Sequence, residues 1–349
     1  MEMIKIPFES NPPQKYKIKT ADQLDNTPVE WLIPSWIPKR GITLLFGDGG
    51  TGKSYVWGSI VSALSKGNRN LLSQVSSNTE KRILTLSGED AECVLRSRFE
   101  KLNAKMENVF VIGQDSLIVE DEEQPEITFS NGILAEIVEQ IKPDLLILDP
   151  LQSFIGPTVD MSRRNQMRTA MKPLQVLSAE YDMPVLVVAH SNKRENAENG
   201  RDKLADSADL WDIARSVIMV GYSEGDTRFI SLEKSSYADH LHVPTKLFSI
   251  DDGMVTYRGE CSSKLRDFVR DRKSNKMEKT ESQKELCQDA MLELLENGEM
   301  DSQEFNTRLK NMGFSKRTVD SSRKQLINEG LIRMNKQKSG RLTYITVED

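Results

Sequence analysis

The stretch from Phe46 to Ser54 carries the residue types that bind phosphate. It reads F-G-D-G-G-T-G-K-S and satisfies the pattern G-x-x-x-x-G-K-[ST]. Glycines let backbone N–H groups close around phosphate oxygens, the lysine adds a cation, and the serine hydroxyl is a ligand for magnesium. We therefore expect ATP and Mg²⁺ here, with nucleotide contacts from Gly47, Asp48, Gly49, Gly50, Thr51, Gly52, Lys53, Ser54 and Tyr55.

The segments on either side of this loop predict the elements that position it. Residues 41–46 form a short apolar run suited to a buried strand, and residues 53–66 have apolar side chains at helical spacing. A helix that begins at the loop adds the partial positive charge of its N-terminus. The order of strand, glycine loop and helix therefore favours an anion site over a chance match.

Three further predicted strands end on polar residues. Residues 81–87 lead to Glu89 and Asp90, residues 144–150 (D-L-L-I-L-D-P) end on Asp149, and residues 184–190 end on His190. Open α/β sheets bind ligands beyond the carboxyl ends of parallel strands, so these side chains are expected beside the phosphates.

Each of these residues has a chemical role at such a site. Asp149, in the form of a Walker B strand, would hold magnesium together with Ser54. A neutral His190 would report on the γ-phosphate, and either Glu89 or Asp90 is a candidate base.

Two long polar connections, 152–166 and 191–207, follow the strands that end on Asp149 and His190. Their composition alone fits DNA-binding loops and mixed-charge surface loops equally. Their basic residues are Arg163, Arg164, Lys193, Arg194, Arg201 and Lys203.

The C-terminal part predicts a second, smaller domain. Residues 283–349 predict three helices followed by a hairpin, the arrangement of a winged helix. From Phe305 to Arg341 there are ten Lys or Arg against two acids, a net charge of +8. Duplex DNA is the expected partner, with a protein-contact module as the alternative. The candidate DNA contacts are Lys316, Arg317, Arg323, Lys324 and Lys338.

The whole chain of 349 residues has 38% hydrophobic residues and a net charge of −6. No apolar run approaches the roughly 20 residues of a membrane span, and the N-terminus lacks the pattern of a secretory leader. Three scattered cysteines suggest neither a disulfide framework nor a zinc site. We expect a cytoplasmic protein without a membrane partner, divided into an N-terminal arm (1–40), an α/β core (41–260), a charged linker (261–282) and the winged helix (283–349).

Taken together, these motifs resemble the RecA-like ATPases of the RepA type, which are hexameric replicative helicases of plasmids and related mobile elements. The resemblance covers about residues 29–237 and rests on the segments W-L-I-P-S-W-I-P-K-R-G, G-D-G-G-T-G-K-S, S-G-E-D, L-I-L-D-P-L, A-H-S-N-K, A-D-S-A-D-L-W-D-I-A-R-S and E-K-S-S-Y. It implies a mostly parallel sheet with a C-terminal β extension, predicted at residues 227–234 and 245–257.

The resemblance also implies roles for individual residues. Lys53 would grip the phosphates, Glu89 would polarise the attacking water, and Arg215 would be an arginine finger for the neighbouring subunit, with Lys234 nearby in the same role. The two long connections would line a channel that holds single-stranded DNA. This chain departs from its relatives at 201–203, where Arg-Asp-Lys replaces the usual Arg-Gly-Ser.

The sequence thus predicts a homo-oligomeric, hexameric, DNA-dependent ATPase that acts as a replicative helicase of a mobile element, with a primase or an initiator as further partners. Two alternatives stay open. One is a RecA-type recombinase that forms a filament, and the other is a regulator whose winged helix binds DNA while ATP sets its oligomeric state.

Overall fold

A computed structural model describes the chain at residues 19–117, 127–129, 132–161, 163–191, 200–204, 208–223, 225–296, 298–336 and 340–347. Its strands are β1 (Trp31–Ile33), β2 (Ile37–Pro38), β3 (Gly41–Gly47), β4 (Ile83–Ser87), β5 (Val109–Ile112), β6 (Leu145–Asp149), β7 (Pro184–His190), β8 (Ser216–Tyr222), β9 (Arg228–Ser235), β10 (Thr245–Asp251), β11 (Met254–Cys261), β12 (Met300–Asp301), β13 (Ile332–Lys336) and β14 (Leu342–Thr346). Its helices are α1 (Lys53–Ser65), α2 (Glu92–Lys101), α3 (Gln114–Leu117), α4 (Ile133–Ile141), α5 (Arg164–Glu180), α6 (Gly200–Lys203), α7 (Ala208–Ile213), α8 (Leu265–Leu295), α9 (Ser302–Asn311) and α10 (Lys316–Asn328).

A nine-stranded sheet organises the core, with the strand order β11-β10-β9-β8-β3-β7-β6-β4-β5. The six strands from β8 to β5 run parallel, whereas β9, β10 and β11 are added antiparallel at one edge. The predicted α/β fold class is therefore confirmed, because the chain has a mostly parallel central sheet with a C-terminal β extension. Buried apolar strands of this kind require cover on both faces.

Helices supply that cover. On one face the sheet packs against α1, α2 and the β1–β2 hairpin, with the indole of Trp57 and the ring of Phe99 fully buried. On the other face it packs against α4, α5, α7 and the first turn of α8. The central strands are thus buried on both faces. Their parallel pairing sets which residues lie side by side at the strand ends.

The strand ends that carry polar residues lie along one edge. In β3 and β7, Gly47 is paired with His190, and in β4 and β6, Ser87 is paired with Asp149. A parallel register brings the carboxyl ends of neighbouring strands together, so the phosphate loop and the residues after β4, β6 and β7 share one crevice.

The N-terminal residues differ from the predicted arm. The side chains of Ile33, Trp36 and Ile37 are buried in the core, and the β1–β2 hairpin that carries them closes one face of the sheet. Trp36 therefore packs against its own domain. The core thus begins before residue 41.

The predicted charged linker, 261–282, instead begins with the last residue of β11 and forms, from Leu265 onward, the first part of the 31-residue helix α8. Leu265, Phe268 and Val269 are buried against the core, and the ring of Phe268 stacks on that of Phe229 with 4.1 Å between centroids. The remainder of this segment is rich in Lys, Arg and Glu, which have high helix propensity. Its scarcity of apolar residues suggested a loop because only one turn has an apolar face to bury.

The C-terminal unit has its own core. The end of α8, helices α9 and α10, and the sheet β12-β14-β13 surround Phe305, Leu309, Leu326 and Tyr344. Asp301 caps α9 by accepting hydrogen bonds from two backbone N–H groups, and the Ser315 hydroxyl caps α10. The three helices and the hairpin that the sequence predicts are therefore present.

Candidate nucleotide site

The phosphate loop joins β3 to α1. Gly52 lies at the N-cap of α1 with φ of 96°, a conformation that favours glycine. Lys53 follows at the first helical position, where its ammonium donates to the carbonyl oxygens of Gly47 (2.9 Å) and Asp48 (3.2 Å). The side chain thus spans the loop that it is predicted to serve.

Lys53 is a buried cation, with only 7% of the residue exposed. Burial lowers the pKa of its ammonium, and the nearby carboxylates of Asp149, Asp48 and Glu89 act in the opposite direction. A phosphate group that enters the loop would give this desolvated cation an anionic partner.

The candidate magnesium site is formed by Ser54 and Asp149. The hydroxyl of Ser54 donates to Oδ2 of Asp149 at 3.2 Å, across the gap between α1 and the end of β6. The indole N–H of Trp57 donates to the same oxygen at 2.6 Å. Burial raises the pKa of Asp149, while these two hydrogen bonds act to lower it.

This donor set fits magnesium. Both candidate ligands are hard oxygen donors, and the described residues contain no group of three or more His, Cys, Asp or Glu side chains that could hold a metal ion by itself. Magnesium bound to nucleotides is held by one or two protein oxygens and completes its shell with phosphate and water. The site therefore suits a metal that arrives with its nucleotide.

The structure separates the two candidate bases after β4. Oε1 of Glu89 lies 3.5 Å from Nε2 of His190, and both side chains are substantially exposed. Asp90 instead forms an ion pair with Arg98 at 2.7 Å. Because Asp90 is engaged by a guanidinium, Glu89 is the better placed of the two to accept a proton.

Sequence reasoning missed Trp57, Arg98 and Tyr222. The guanidinium of Arg98 lies over the rings of Tyr55 (5.5 Å) and Trp57 (5.9 Å), which links the aspartate after β4 to the phosphate-loop helix. Tyr222 donates its hydroxyl to the carbonyl oxygen of Gly50 at 2.8 Å. Apolar periodicity marks Trp57 as inward-facing and gives no indication of the carboxylate that it meets.

Arg215 and Lys234 lie away from this crevice. The side chain of Arg215 packs over Gly41, at the opposite end of β3 from the phosphate loop. Seven residues of strand separate the two ends, or about 20 Å. Arg215 is exposed, and its guanidinium lies 6.0 Å from the Tyr237 ring centroid.

Lys234 is tied to the neighbouring helix end. Its ammonium donates to the carbonyl oxygens of Trp211 (2.6 Å), Asp212 (3.2 Å) and Ala214 (2.8 Å), at the end of α7. Burial lowers the pKa of Lys234. In this arrangement Lys234 positions the backbone that leads into Arg215.

The six loop residues that are predicted to contact DNA have different surroundings. Arg163 and Arg201 are exposed and form ion pairs with Asp160 (3.1 Å) and Asp212 (2.8 Å). The side chain of Arg164 and residues Lys193 and Arg194 lie outside the described part of the chain.

The structure argues against the predicted DNA contact of Lys203. It is only 1% exposed, and its ammonium lies 3.7 Å from the carboxylate of Asp48 in the phosphate loop. A side chain in this position is not available to a DNA strand at the surface. The basic character of the connection suggested a DNA contact, but the chain turns this lysine inward.

On the C-terminal unit, Lys316, Arg317 and Lys324 are exposed on α10. Arg323 is half-buried, and its guanidinium donates to the hydroxyl of Tyr344 (3.0 Å) and to the side chain of Asn306 (2.8 Å). It therefore holds the unit together. Lys338 lies outside the described residues.

Among the residues that the structure describes, none of the helices combines the length and apolar composition that crossing a bilayer requires.

Comparison with known proteins identifies the family. No curated protein matches the sequence significantly. A solved structure described as an "ATPase Domain" aligns with a TM-score of 0.49 and 12% identity, covering 63% of this chain and 86% of its own. The family model described as "AAA domain" matches residues 11–196, which is more than half of the chain and includes the phosphate loop, Glu89, Asp149 and His190. With that match and the geometry of its crevice, the chain belongs to the AAA domain family and carries a P-loop ATPase core.

Proposed function

We propose that this protein is an ATP-driven motor on single-stranded DNA, a homo-hexameric replicative helicase of a plasmid, phage or other mobile element. The observation that carries the proposal is the separation of Arg215 from the phosphate loop. The five side chains that are predicted to serve ATP hydrolysis lie at one edge of the sheet; they are those of Lys53, Ser54, Glu89, Asp149 and His190. The exposed Arg215 lies about 20 Å from the phosphate loop, too far for its side chain to reach the phosphates of its own subunit. A second subunit would bring the arginine to a phosphate site.

Within one subunit, the chemistry divides among few groups. The N–H groups of the phosphate loop and the ammonium of Lys53 would bind the β- and γ-phosphates. Ser54 and Asp149 would hold magnesium, which neutralises charge on the phosphate oxygens when bound. These contacts position the γ-phosphate, and positioning with charge stabilisation accounts for most of phosphoryl-transfer catalysis.

Water activation would fall to Glu89. Its carboxylate is exposed to the crevice and lies 3.5 Å from His190, so the imidazole can orient it and respond to the γ-phosphate. A positioned general base contributes about 10²- to 10⁴-fold to a rate. A trans arginine would add about 10³- to 10⁵-fold by stabilising the transition state.

The DNA contacts would come from two regions. Arg163 and Arg201, on the connections after β6 and β7, are exposed on the core. By the resemblance to the RepA-type ATPases, such connections would surround a single strand. Lys316, Arg317 and Lys324 would give the C-terminal unit, as a winged helix, its contacts with duplex phosphates.

The proposal is tested by measuring the ATPase rate with and without single-stranded DNA, beside the native mass of the assembly and the unwinding of a forked duplex. We expect a ring of six, stimulation by single strands and unwinding. Homologous strand pairing by an open filament would instead identify a recombinase. Sequence-specific duplex binding without single-strand stimulation would identify a regulator.

A further inference from the structure

One carboxylate of the phosphate loop holds both ends of the connection that follows β7. The hydroxyl of Ser191, directly after β7, donates to Oδ1 of Asp48. The ammonium of Lys203, at the end of α6, lies 3.7 Å from Oδ2 of the same side chain. The two oxygens of Asp48 therefore serve two residues that are twelve positions apart in the sequence.

The two ends are also joined to each other. Ser191 and Leu204 form an isolated antiparallel bridge, and the backbone N–H of Ser191 donates to the carbonyl oxygen of Gly47 at 3.2 Å. The base of the connection is thus a small closed unit that rests on the phosphate loop. A movement of Asp48 would therefore shift both ends of the connection, Ser191 and Lys203, together.

Lys203 is an unusual residue for this position. Its side chain is 2% exposed, whereas that of Asp48 is 45% exposed. Burying an ammonium is costly unless a charge of opposite sign lies close by. Among the ion pairs of the described residues, Asp48 is the partner of Lys203. The buried lysine therefore depends on a carboxylate whose own surroundings change when phosphate enters the loop.

Phosphate binding does not itself require the side chain of Asp48. The loop binds anions through backbone N–H groups, a cation and a hydroxyl. A carboxylate in this loop would repel phosphate unless a cation compensates its charge, and Lys203 supplies such a cation. Nucleotide binding and the Asp48–Lys203 ion pair are thereby linked electrostatically.

We propose that Asp48 and Lys203 are a coupling pair, through which occupancy of the phosphate loop sets the position of Ser191 and of residues 200–204, the two described ends of the connection that follows β7. Both act as positioning residues. Through this pair, nucleotide binding would affect the connection after β7 independently of His190. For the DNA half, the inference rests on the proposed function, because that connection is proposed to hold the single strand.

Coupling of this kind is reciprocal. If nucleotide raises the affinity for single-stranded DNA by some factor, DNA must raise the affinity for nucleotide by the same factor, commonly about 5- to 150-fold. Loss of the ion pair should reduce both factors equally. A residue that merely stabilises the fold would change the affinity for DNA equally with and without nucleotide, so the ratio of those two DNA affinities would stay the same.

The first test needs no DNA. Amide hydrogen exchange is measured by mass spectrometry on the full chain, with and without AMP-PNP and Mg²⁺. We expect the nucleotide to slow exchange both in the phosphate loop and in the peptide 191–204. Lys203→Met should retain the protection of the loop and lose most of that in 191–204. Asp48→Asn, which keeps an acceptor for Ser191, should show the same loss, and the double variant should lose no more.

The matched control is Lys246→Met. Lys246 is also a buried lysine with a carboxylate partner, Glu260, but it lies on β10, away from the connection. It should retain the protection of 191–204 by nucleotide. Wild-type protection of this peptide in both Lys203→Met and Asp48→Asn would overturn the proposal. So would the absence of any nucleotide effect on 191–204 in the wild type.

The second test separates this inference from the proposed function. The affinity for a fluorescent oligo(dT) is measured by anisotropy with and without AMP-PNP, and we expect the nucleotide-dependent ratio to fall toward one in Lys203→Met. An unchanged ratio in that variant would contradict the coupling. If the wild type binds no single-stranded DNA at all, the proposed function fails, while the exchange experiment still decides on the coupling pair.

Discussion

At the scale of single residues, the candidate site combines groups that the sequence identifies with others that it does not, of which Trp57 is one. The phosphate-loop motif predicts Lys53 and Ser54, and the apolar run before Asp149 predicts a carboxylate at a strand end. Apolar spacing identifies Trp57 only as an inward-facing position of α1. Its indole N–H instead donates to Asp149 at 2.6 Å. Helical spacing predicts which face of a helix is buried, but it does not predict which strand end that face contacts.

This contact makes Trp57→Phe informative. The change keeps most of the buried aromatic surface and removes the hydrogen bond that orients the carboxylate. Loss of a group that orients a metal ligand typically costs about 10- to 100-fold in metal affinity or activity. We expect the half-saturating Mg²⁺ concentration of the ATPase to rise by a factor in that range. ATP binding measured without metal should change little.

The control for this experiment is Trp36→Phe, since Trp36 is also buried but belongs to the β1–β2 hairpin region, away from the metal site. Direct Mn²⁺ binding, followed by electron paramagnetic resonance, gives a second readout that does not depend on turnover. Equal Mn²⁺ affinity in Trp57→Phe and the wild type would show that the indole serves packing alone.

A second prediction at this scale separates Glu89 from Asp90. Glu89→Gln should bind ATP normally and hydrolyse it about 10²- to 10⁴-fold more slowly, because the amide cannot accept the proton of the attacking water. Asp90→Asn should instead lower stability by about 1.5–3 kcal/mol, because Arg98 loses its charged partner.

Single-turnover hydrolysis and thermal unfolding of the two variants distinguish these effects. Near-normal hydrolysis by Glu89→Gln together with a slow, stably folded Asp90→Asn would exchange the two roles. The sequence alone left both carboxylates as candidates, because they are adjacent and follow the same strand. The resemblance implies Glu89, and the position of Arg98 on α2 gives a structural reason for that choice.

At the scale of elements, the strands of the core were the most predictable part, because a strand buried on both faces is a continuous apolar run between polar residues. The 184–190 prediction coincides with β7. Helix α8 was the least predictable. It has a single apolar turn against the core and a second apolar face, with Cys287 and Met291, inside the C-terminal unit.

The packing of α8 against the core determines where the chain can be shortened to remove the C-terminal unit. A chain that ends near residue 258 would lose the end of β11 together with Leu265, Phe268 and Val269, each of which is buried in the core. Burial of such a side chain contributes about 1.5–3 kcal/mol. We therefore expect that shorter chain to be unstable, whereas a chain that ends at residue 280 keeps all three.

The chain that ends at residue 280 should retain single-strand-stimulated ATPase activity and lose most of its affinity for duplex DNA. The affinity of the full chain for duplex should also fall more steeply with salt, since each phosphate contact adds about 0.9 to the logarithmic slope. The triple change of Lys316, Arg317 and Lys324 to Gln in the full chain should reproduce the loss. Unchanged duplex binding in both proteins would identify the unit as a protein-contact module.

At the scale of the whole molecule, the sheet decides which groups can meet in one subunit. Glu89, Asp149 and His190 lie 36 to 137 positions beyond Lys53 in the sequence. All three nevertheless lie at the crevice of the phosphate loop. Arg215, only 25 positions after His190, is at the other end of β3. Sequence distance carries no such information. Only the parallel direction of β8 shows that its first residues lie far from the phosphates.

A mixing experiment tests whether Arg215 acts on the site of a neighbouring subunit. Neither Arg215→Ala nor Lys53→Ala alone should hydrolyse ATP, because every interface in each homo-oligomer lacks one required charge. In a mixed ring, an interface regains both groups where an Arg215→Ala subunit supplies the intact phosphate loop and a Lys53→Ala subunit supplies the arginine. With equal, random mixing this holds for about one quarter of interfaces.

We therefore expect up to about one quarter of wild-type ATPase activity in the mixture if interfaces work independently. Mixing Lys53→Ala with Glu89→Gln provides the matched control. Both of those residues belong to the crevice of a single subunit, so no combination of the two chains restores a complete site. Subunit exchange is verified by native mass spectrometry with one isotopically labelled variant. A mixture of Arg215→Ala and Lys53→Ala that exchanges subunits but stays as inactive as this control would show that Arg215 does not complete the site of its neighbour.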